Sequence, residues 1–148
     1  MKKQLCVLLS LIMVFMLSGC SEFKNQIDNA RDNDTVRVTV PEGYTIYQIA
    51  SLLEKNEVCS AEDFLAACNK VPDDFKYASG ITDTENRVFA LEGYVYPNTY
   101  DFYIGEDATH VLNKFLSEFE TKMTDDMAAR AKELGYTVDE IIILASII

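Results

Sequence analysis

Between Asp107 and Met123, apolar side chains recur at Val111, Leu112, Phe115, Leu116 and Phe119. Steps of three and four residues put all five on one side of a helix, so this segment predicts a long helix that must find an apolar surface to cover it. Such a surface is predicted upstream. Val36, Val38 and Val40 alternate with Arg37 and Thr39 as in a half-buried strand, and Pro41-Glu42-Gly43 breaks the pattern. Thr45 with Gln48 three residues later makes a capping box, behind which Ile46, Ile49, Leu52 and Leu53 form one apolar helix face. Ser60 with Asp63 marks a second helix start, with Phe64, Leu65 and Cys68 on its buried side. Downstream, a helix from about Asp125 to Leu134 closes at Gly135, and Thr137 with Glu140 makes another capping box that opens the last helix. A strand, a tight turn and several helices predict an α+β fold, without internal repeats or low-complexity tracts.

The first residues follow a different logic. "MKKQLCVLLSLIMVFMLSGC" has a basic start at Lys2 and Lys3, thirteen apolar-rich residues from Leu5 to Leu17, and a lipobox-like end at Leu17-Ser18-Gly19-Cys20. Thirteen residues at about 1.5 Å each fall short of a hydrocarbon core of about 30 Å, so a lipoprotein signal over 1–19 fits better than a permanent span. Cys20 would then carry lipid, and polar residues 20–34 would tether it to the folded part. An ordinary secretory signal with an incidental cysteine is the alternative. Residues 1–19 hold two of the thirteen basic residues and none of the twenty-four acidic ones, so their removal leaves 129 residues and takes the net charge from −11 to −13. That balance excludes nucleic acid as a partner bound by phosphate neutralisation. Cys59 and Cys68, in "NEVCSAEDFLAAC", lack zinc-site spacing and read first as small core hydrophobes, with a disulfide permitted in an exported compartment.

Several chemistries are absent from the sequence. It contains no phosphate-binding Gly-rich loop ahead of Lys-Ser or Lys-Thr, no G-x-S-x-G nucleophile turn and no His-Glu-x-x-His helix. Its one histidine, His110, opens the long helix and suits a surface or packing role. Acid/base chemistry must therefore run on carboxylates, and no metal or cofactor is implied. The informative stretch is "LEGYVYPNTYDF", Leu91 to Phe102. Tyr94 and Tyr96 would share a face if this is a strand, Pro97-Asn98 would turn the chain, and Tyr100 would add a third ring. Rings beside Glu92, Asn98 and Thr99 are what a sugar cleft requires, since aromatic faces cover C–H surfaces while polar groups meet hydroxyls. A tyrosine-rich strand packed on the core has the same composition.

"LEGYVYPNTYDF" resembles the L-E-G-[YW]-x-[FY]-P-[DN]-T-[YW] signature of the MltG-type, or YceG-like, endolytic murein transglycosylases. "VTVPEGYTIYQIASLL" is similar to the strand, Glu-Gly turn and helix that precede that signature, and "LASII" matches the opening of the family's catalytic motif, Ala-Ser-Ile-Ile-Glu. The three occur in family order over Thr35 to Ile148. The resemblance implies a small LysM-like strand-turn-helix unit over 35–78 and the N-terminal part of a YceG-like catalytic domain over 79–148.

It also implies an activity: cleavage of the β-1,4 bond between N-acetylmuramic acid and N-acetylglucosamine of nascent strands, with the muramic 6-hydroxyl closing on its own anomeric carbon to leave 1,6-anhydro ends. One partly desolvated glutamate can serve as acid and then base, where a common hydrolase needs two placed carboxylates. An apolar helix such as "IIILASII" would suit that acid as a mount, its face covered by a further part of the domain. The family's glutamate follows Ile-Ile directly and would come after Ile148, so no catalytic residue is expected within the chain, which is expected to be an inactive fragment. Glu92, Tyr94, Tyr96, Asn98, Thr99 and Tyr100 carry over as cleft residues, Glu92 in a supporting position. Family members usually have a membrane-spanning N-terminus, which the lipobox and tether replace here. The implied partners are peptidoglycan strands, the membrane through the lipid anchor, and cell-wall synthesis enzymes, at an exported, membrane-anchored location. The rivals are a non-catalytic cell-wall binding lipoprotein and a scaffold for envelope assembly.

Overall fold

The computed structural model describes residues 35–82 and 84–147. The expected signal peptide, the tether and the lipidation candidate Cys20 lie outside them. β1 (Thr35–Thr39) pairs with β2 (Thr99–Tyr103). The register is antiparallel: Arg37 Nε meets Asp101 Oδ1 at 2.8 Å, the Thr39 and Thr99 hydroxyls lie 2.9 Å apart, and Val40 N–H donates to the Asn98 carbonyl at 2.8 Å. Along β2, Tyr100 and Phe102 face inward while Thr99, Asp101 and Tyr103 face out, the period of two that a one-sided ribbon dictates.

Five α-helices are described, and the inner face of this ribbon shares one core cluster with the first three of them. α1 (Ile46–Lys55) opens on the expected capping box, with Thr45 and Gln48 satisfying each other's backbone N–H, and it buries Ile46, Ile49, Ala50 and Leu53. α2 (Ala61–Cys68) is capped by Ser60 and buries Phe64 and Cys68. α3 (Ala108–Lys122) starts where Asp107 accepts from the N–H groups of Thr109 and His110, which holds that carboxyl below its usual range. The predicted stripe is its buried side: Val111, Leu112, Phe115, Leu116 and Phe119. α4 (Asp125–Glu133) and α5 (Val138–Ala145) follow, the turn between them made by Gly135 at φ +83° and the Thr137–Glu140 capping box.

Two aromatic groups fill the centre. Phe115 meets Phe64, Tyr100 and Phe102 at centroid distances of 5.8, 4.5 and 5.7 Å, while Phe119 meets Phe75, Tyr77 and Tyr94 at 6.2, 5.7 and 4.9 Å. Val38 of β1 and Phe115 of α3 belong to one core cluster, so the segments 35–78 and 79–148 share a single hydrophobic interior. Cys59 and Cys68 are free thiols in that interior's margin and centre. Burial pushes the Cys59 thiol up to about 11 and the Cys68 thiol up to about 12.

Candidate functional site

The segment from Phe89 to Asn98 is a series of turns, so Tyr94 and Tyr96 do not share a strand face. Its conformation hinges on Gly93 at φ +89°, a backbone state that L side chains rarely adopt. A Cβ there would lie 2.5 Å from Ile142 Cγ2. Glycine is thus required both by the turn and by α5, which presses directly on it.

Around that contact the chain builds a buried polar junction. The Tyr94 hydroxyl donates to Asp139 Oδ1 at 2.8 Å, and the Arg87 guanidinium donates to Asp139 Oδ2. Asp139 is 3% exposed and is the one buried charged residue among those described. Its two oxygens each have a donor, which is the condition under which a carboxylate can be held inside a protein. Burial, together with the hydrogen bond to Asp139, raises the Tyr94 hydroxyl pKa, so it stays a donor. Thus 87, 94 and 139 tie the aromatic segment to the last helix.

The candidate cleft residues divide sharply. Tyr94 is fully buried, its ring edge-on to Phe75 and Phe119, and Tyr100 is buried against Phe115 with its hydroxyl donating 2.6 Å to the Tyr96 carbonyl. Neither ring offers an open face, which corrects the expectation of a three-ring cleft: each hydroxyl finds an internal partner, so both rings can be buried at little cost. Asn98 and Thr99 are exposed but engaged. Asn98 Nδ2 donates to Glu118 Oε1 at 2.7 Å and its Oδ1 accepts from Thr99 N–H, while the Thr99 hydroxyl meets Thr39. Tyr96 is half-buried.

Glu92 is different. It sits at the turn surface, exposed, yet the protein around it desolvates its carboxyl enough to raise the pKa above the usual glutamate range, against the opposing effect of a hydrogen bond from the Ile46 backbone. Ile46 is the first residue of α1, so the carboxylate meets the positive end of that helix. The result is a surface carboxyl with a raised proton affinity, held in place from behind.

Sequence reasoning missed Arg87 and Asp139. The available clue was Asp139 itself, a charge one turn from Ile142 on the face that docks. The apolar helix α5 is enclosed on one side only: Val138, Asp139 and Ile142 face the core, whereas Ile143, Leu144 and Ile147 are open. A groove of about 640 Å³ lies elsewhere, between α2 and the start of α3. Its acids are already occupied, Asp107 as a cap and Glu106 by Lys114 and the Tyr103 N–H. Among the described residues no three His, Cys, Asp or Glu side chains converge as a metal site would need, and no helix is long and apolar enough to cross a membrane.

Residues 16–148 match the family described as the YceG-like family. The 2.6 Å crystal structure of a YceG-like protein from Listeria monocytogenes shares the fold, with a TM-score of 0.54 and 20% identity over 82% of this chain. The matched part is 43% of the Listeria chain, so this chain spans less than half of that protein's length. No curated protein matches.

Proposed function

This chain belongs to the YceG-like family, and from that membership we propose that it is the N-terminal part of an endolytic peptidoglycan transglycosylase. The reaction is cleavage of the β-1,4 bond between N-acetylmuramic acid and N-acetylglucosamine in nascent strands, ending in 1,6-anhydro-muramic termini that stop elongation. The observation that carries the reading is the seating of α5 on the Gly93 turn. The "LEGY" segment and the helix that leads into "LASII", more than forty residues apart in sequence, are joined there by the Gly93–Ile142 contact and the Tyr94–Asp139 hydrogen bond. A lyase that works with one acid needs the helix carrying that acid fixed against the surface that holds the sugar, because misplacement of a reacting group by even 1 Å is costly.

In this reading α5 is the mount, and Arg87, Tyr94 and Asp139 are positioning residues that set its rotation and register. Glu92 supports the substrate from the turn. A carboxyl whose proton affinity is raised keeps its proton to a higher pH than a free glutamate does, and can meet a sugar hydroxyl as donor or acceptor. We place the protein outside the cytoplasm, tethered through lipid on Cys20, where nascent strands and the enzymes that make them are within reach. Digestion of peptidoglycan by the whole gene product, with mass spectrometry of the new ends, tests the reaction. The 1,6-anhydro termini are expected; plain reducing ends would mean hydrolysis, and binding without bond cleavage would favour a cell-wall binding lipoprotein.

A further inference from the structure

Neighbours in sequence, Tyr103 and Ile104 are 45% and 47% exposed at the turn between β2 and α3. The chain enters the fold at the same end of the ribbon. Arg37 faces Asp101 and Thr39 faces Thr99, so the register carries the start of β1 to the Tyr103 end. We propose that the Tyr103–Ile104 turn is a bilayer contact, a fixed apolar tip that enters the lipid interface beside the anchor and sets how the folded part stands on the membrane. The inference rests on the tether proposed above and not on the reaction.

Three observations favour a lipid surface. The first is that the tip is built before any contact. Gly105, at φ +69°, donates its N–H to the Glu57 carbonyl at 2.9 Å; the Tyr103 N–H donates to Glu106 Oε2 at 2.9 Å, and the Glu106 N–H returns to the Tyr103 carbonyl at 3.3 Å. Lys114 Nζ lies 5.4 Å from the Tyr103 ring centroid and donates to Glu106 Oε2, so a cation with its charge matched backs the ring. Insertion of such a turn orders little that was free. The second is composition: a tyrosine suits the headgroup level, with an apolar ring and a wet hydroxyl, and an isoleucine suits the acyl boundary. The third is distance. Residues 20–34 span at most about 50 Å, so lipid on Cys20 keeps this end of the ribbon at high effective concentration near the bilayer, where a two-residue contact suffices. The formal charge of −11 opposes attraction to an anionic surface, so insertion and not charge must make the contact. This orientation also places the Glu92 turn. Ile46, whose N–H meets Glu92, opens α1, and Glu57, whose carbonyl holds the tip, follows its end, so the two lie at opposite ends of a helix about 15 Å long.

The sequence has no tryptophan, so one introduced at the tip reports alone. The full chain carrying Ile104→Trp, purified from the membranes of producing cells, is reconstituted into phosphatidylcholine vesicles with and without bromine on the acyl chains. Blue-shifted emission and loss of intensity in the brominated vesicles are expected at position 104. Neither is expected for Leu134→Trp or Tyr44→Trp, at comparably open positions away from the tip. Tyr103→Trp, a second reporter, should be quenched as Ile104→Trp is, and adding Tyr103→Ser to Ile104→Trp should weaken the quenching; these surface changes should leave the fold intact. Quenching at Leu134 in place of Ile104 would turn the α4–α5 face to the bilayer and overturn the proposal. Equal quenching at all three positions, or at none, would overturn it too. The readout holds whether Cys20 carries lipid or residues 1–19 stay attached, and the mass of the purified chain tells these apart, so the lipid anchor and the tip can fail separately.

Discussion

At φ +89° Gly93 occupies backbone space that costs other residues about 1–2 kcal/mol, and the Ile142 contact adds a steric term on top. Gly93→Ala should therefore lower the unfolding free energy by about 2–4 kcal/mol in urea titrations. Adding Ile142→Ala should recover part of the steric term and none of the backbone term, so a double-mutant cycle should show coupling between positions that are 49 residues apart in sequence. Asp139→Ala leaves Arg87 partly buried without its counter-charge and should cost about 3 kcal/mol, whereas Tyr94→Phe removes one hydrogen bond and should cost about 1 kcal/mol. Glu92 contributes a pH dependence opposite in sign to that of Asp107. Its folded pKa lies above the unfolded one, so the folded state holds the proton more tightly and stability falls as pH rises through the folded pKa. Glu92→Gln keeps an acceptor for the Ile46 N–H and loses the ionisation. Unfolding measured across pH should show the stability of the variant relative to the parent growing as pH rises through the Glu92 titration; a difference that stays constant with pH would assign the pH dependence to other groups.

Helix starts were legible in the sequence because a cap is a three-residue affair. Thr45–Gln48, Ser60–Asp63 and Thr137–Glu140 all form as their spacing implies, and the α3 stripe is buried as its period demands. Thr137→Ala should cost about 1 kcal/mol, with faster amide exchange confined to the first turn of α5. The aromatic segment was not legible in the same way. Alternation at Tyr94 and Tyr96 suits a strand, but the positive φ of Gly93 and the pressure of α5 make it a turn, and neither can be read from neighbours in sequence. The burial of Tyr94 and Tyr100 was hidden for a related reason. A tyrosine goes inside when its hydroxyl finds a partner, and the partner of Tyr94 lies 45 residues away on α5.

Across the whole molecule, α5 is the element with two opposed characters. Toward the core it presents Val138, Asp139 and Ile142; away from it Ile143, Leu144 and Ile147 are 46%, 45% and 76% exposed. Met127, Leu134, Val138 and Ile141 add an open apolar groove of about 390 Å³ beside them, where α4 meets α5. Burial, and not hydrophobic character, decides what each residue contributes to folding. Leu144→Lys with Ile147→Lys should thus leave the unfolding free energy within about 0.5 kcal/mol of the parent, as for surface positions generally, while Ile142→Ala should cost about 2 kcal/mol. The same double substitution should reduce binding of a hydrophobic dye to the native protein, because it breaks up a contiguous apolar patch. If the lysines unfold the chain instead, the outer face of α5 is packed against something and the division of this helix into a docking side and an open side is wrong. If stability holds and dye binding falls, the core side of α5 alone fixes the helix, as positioning by Gly93, Arg87, Tyr94 and Asp139 requires.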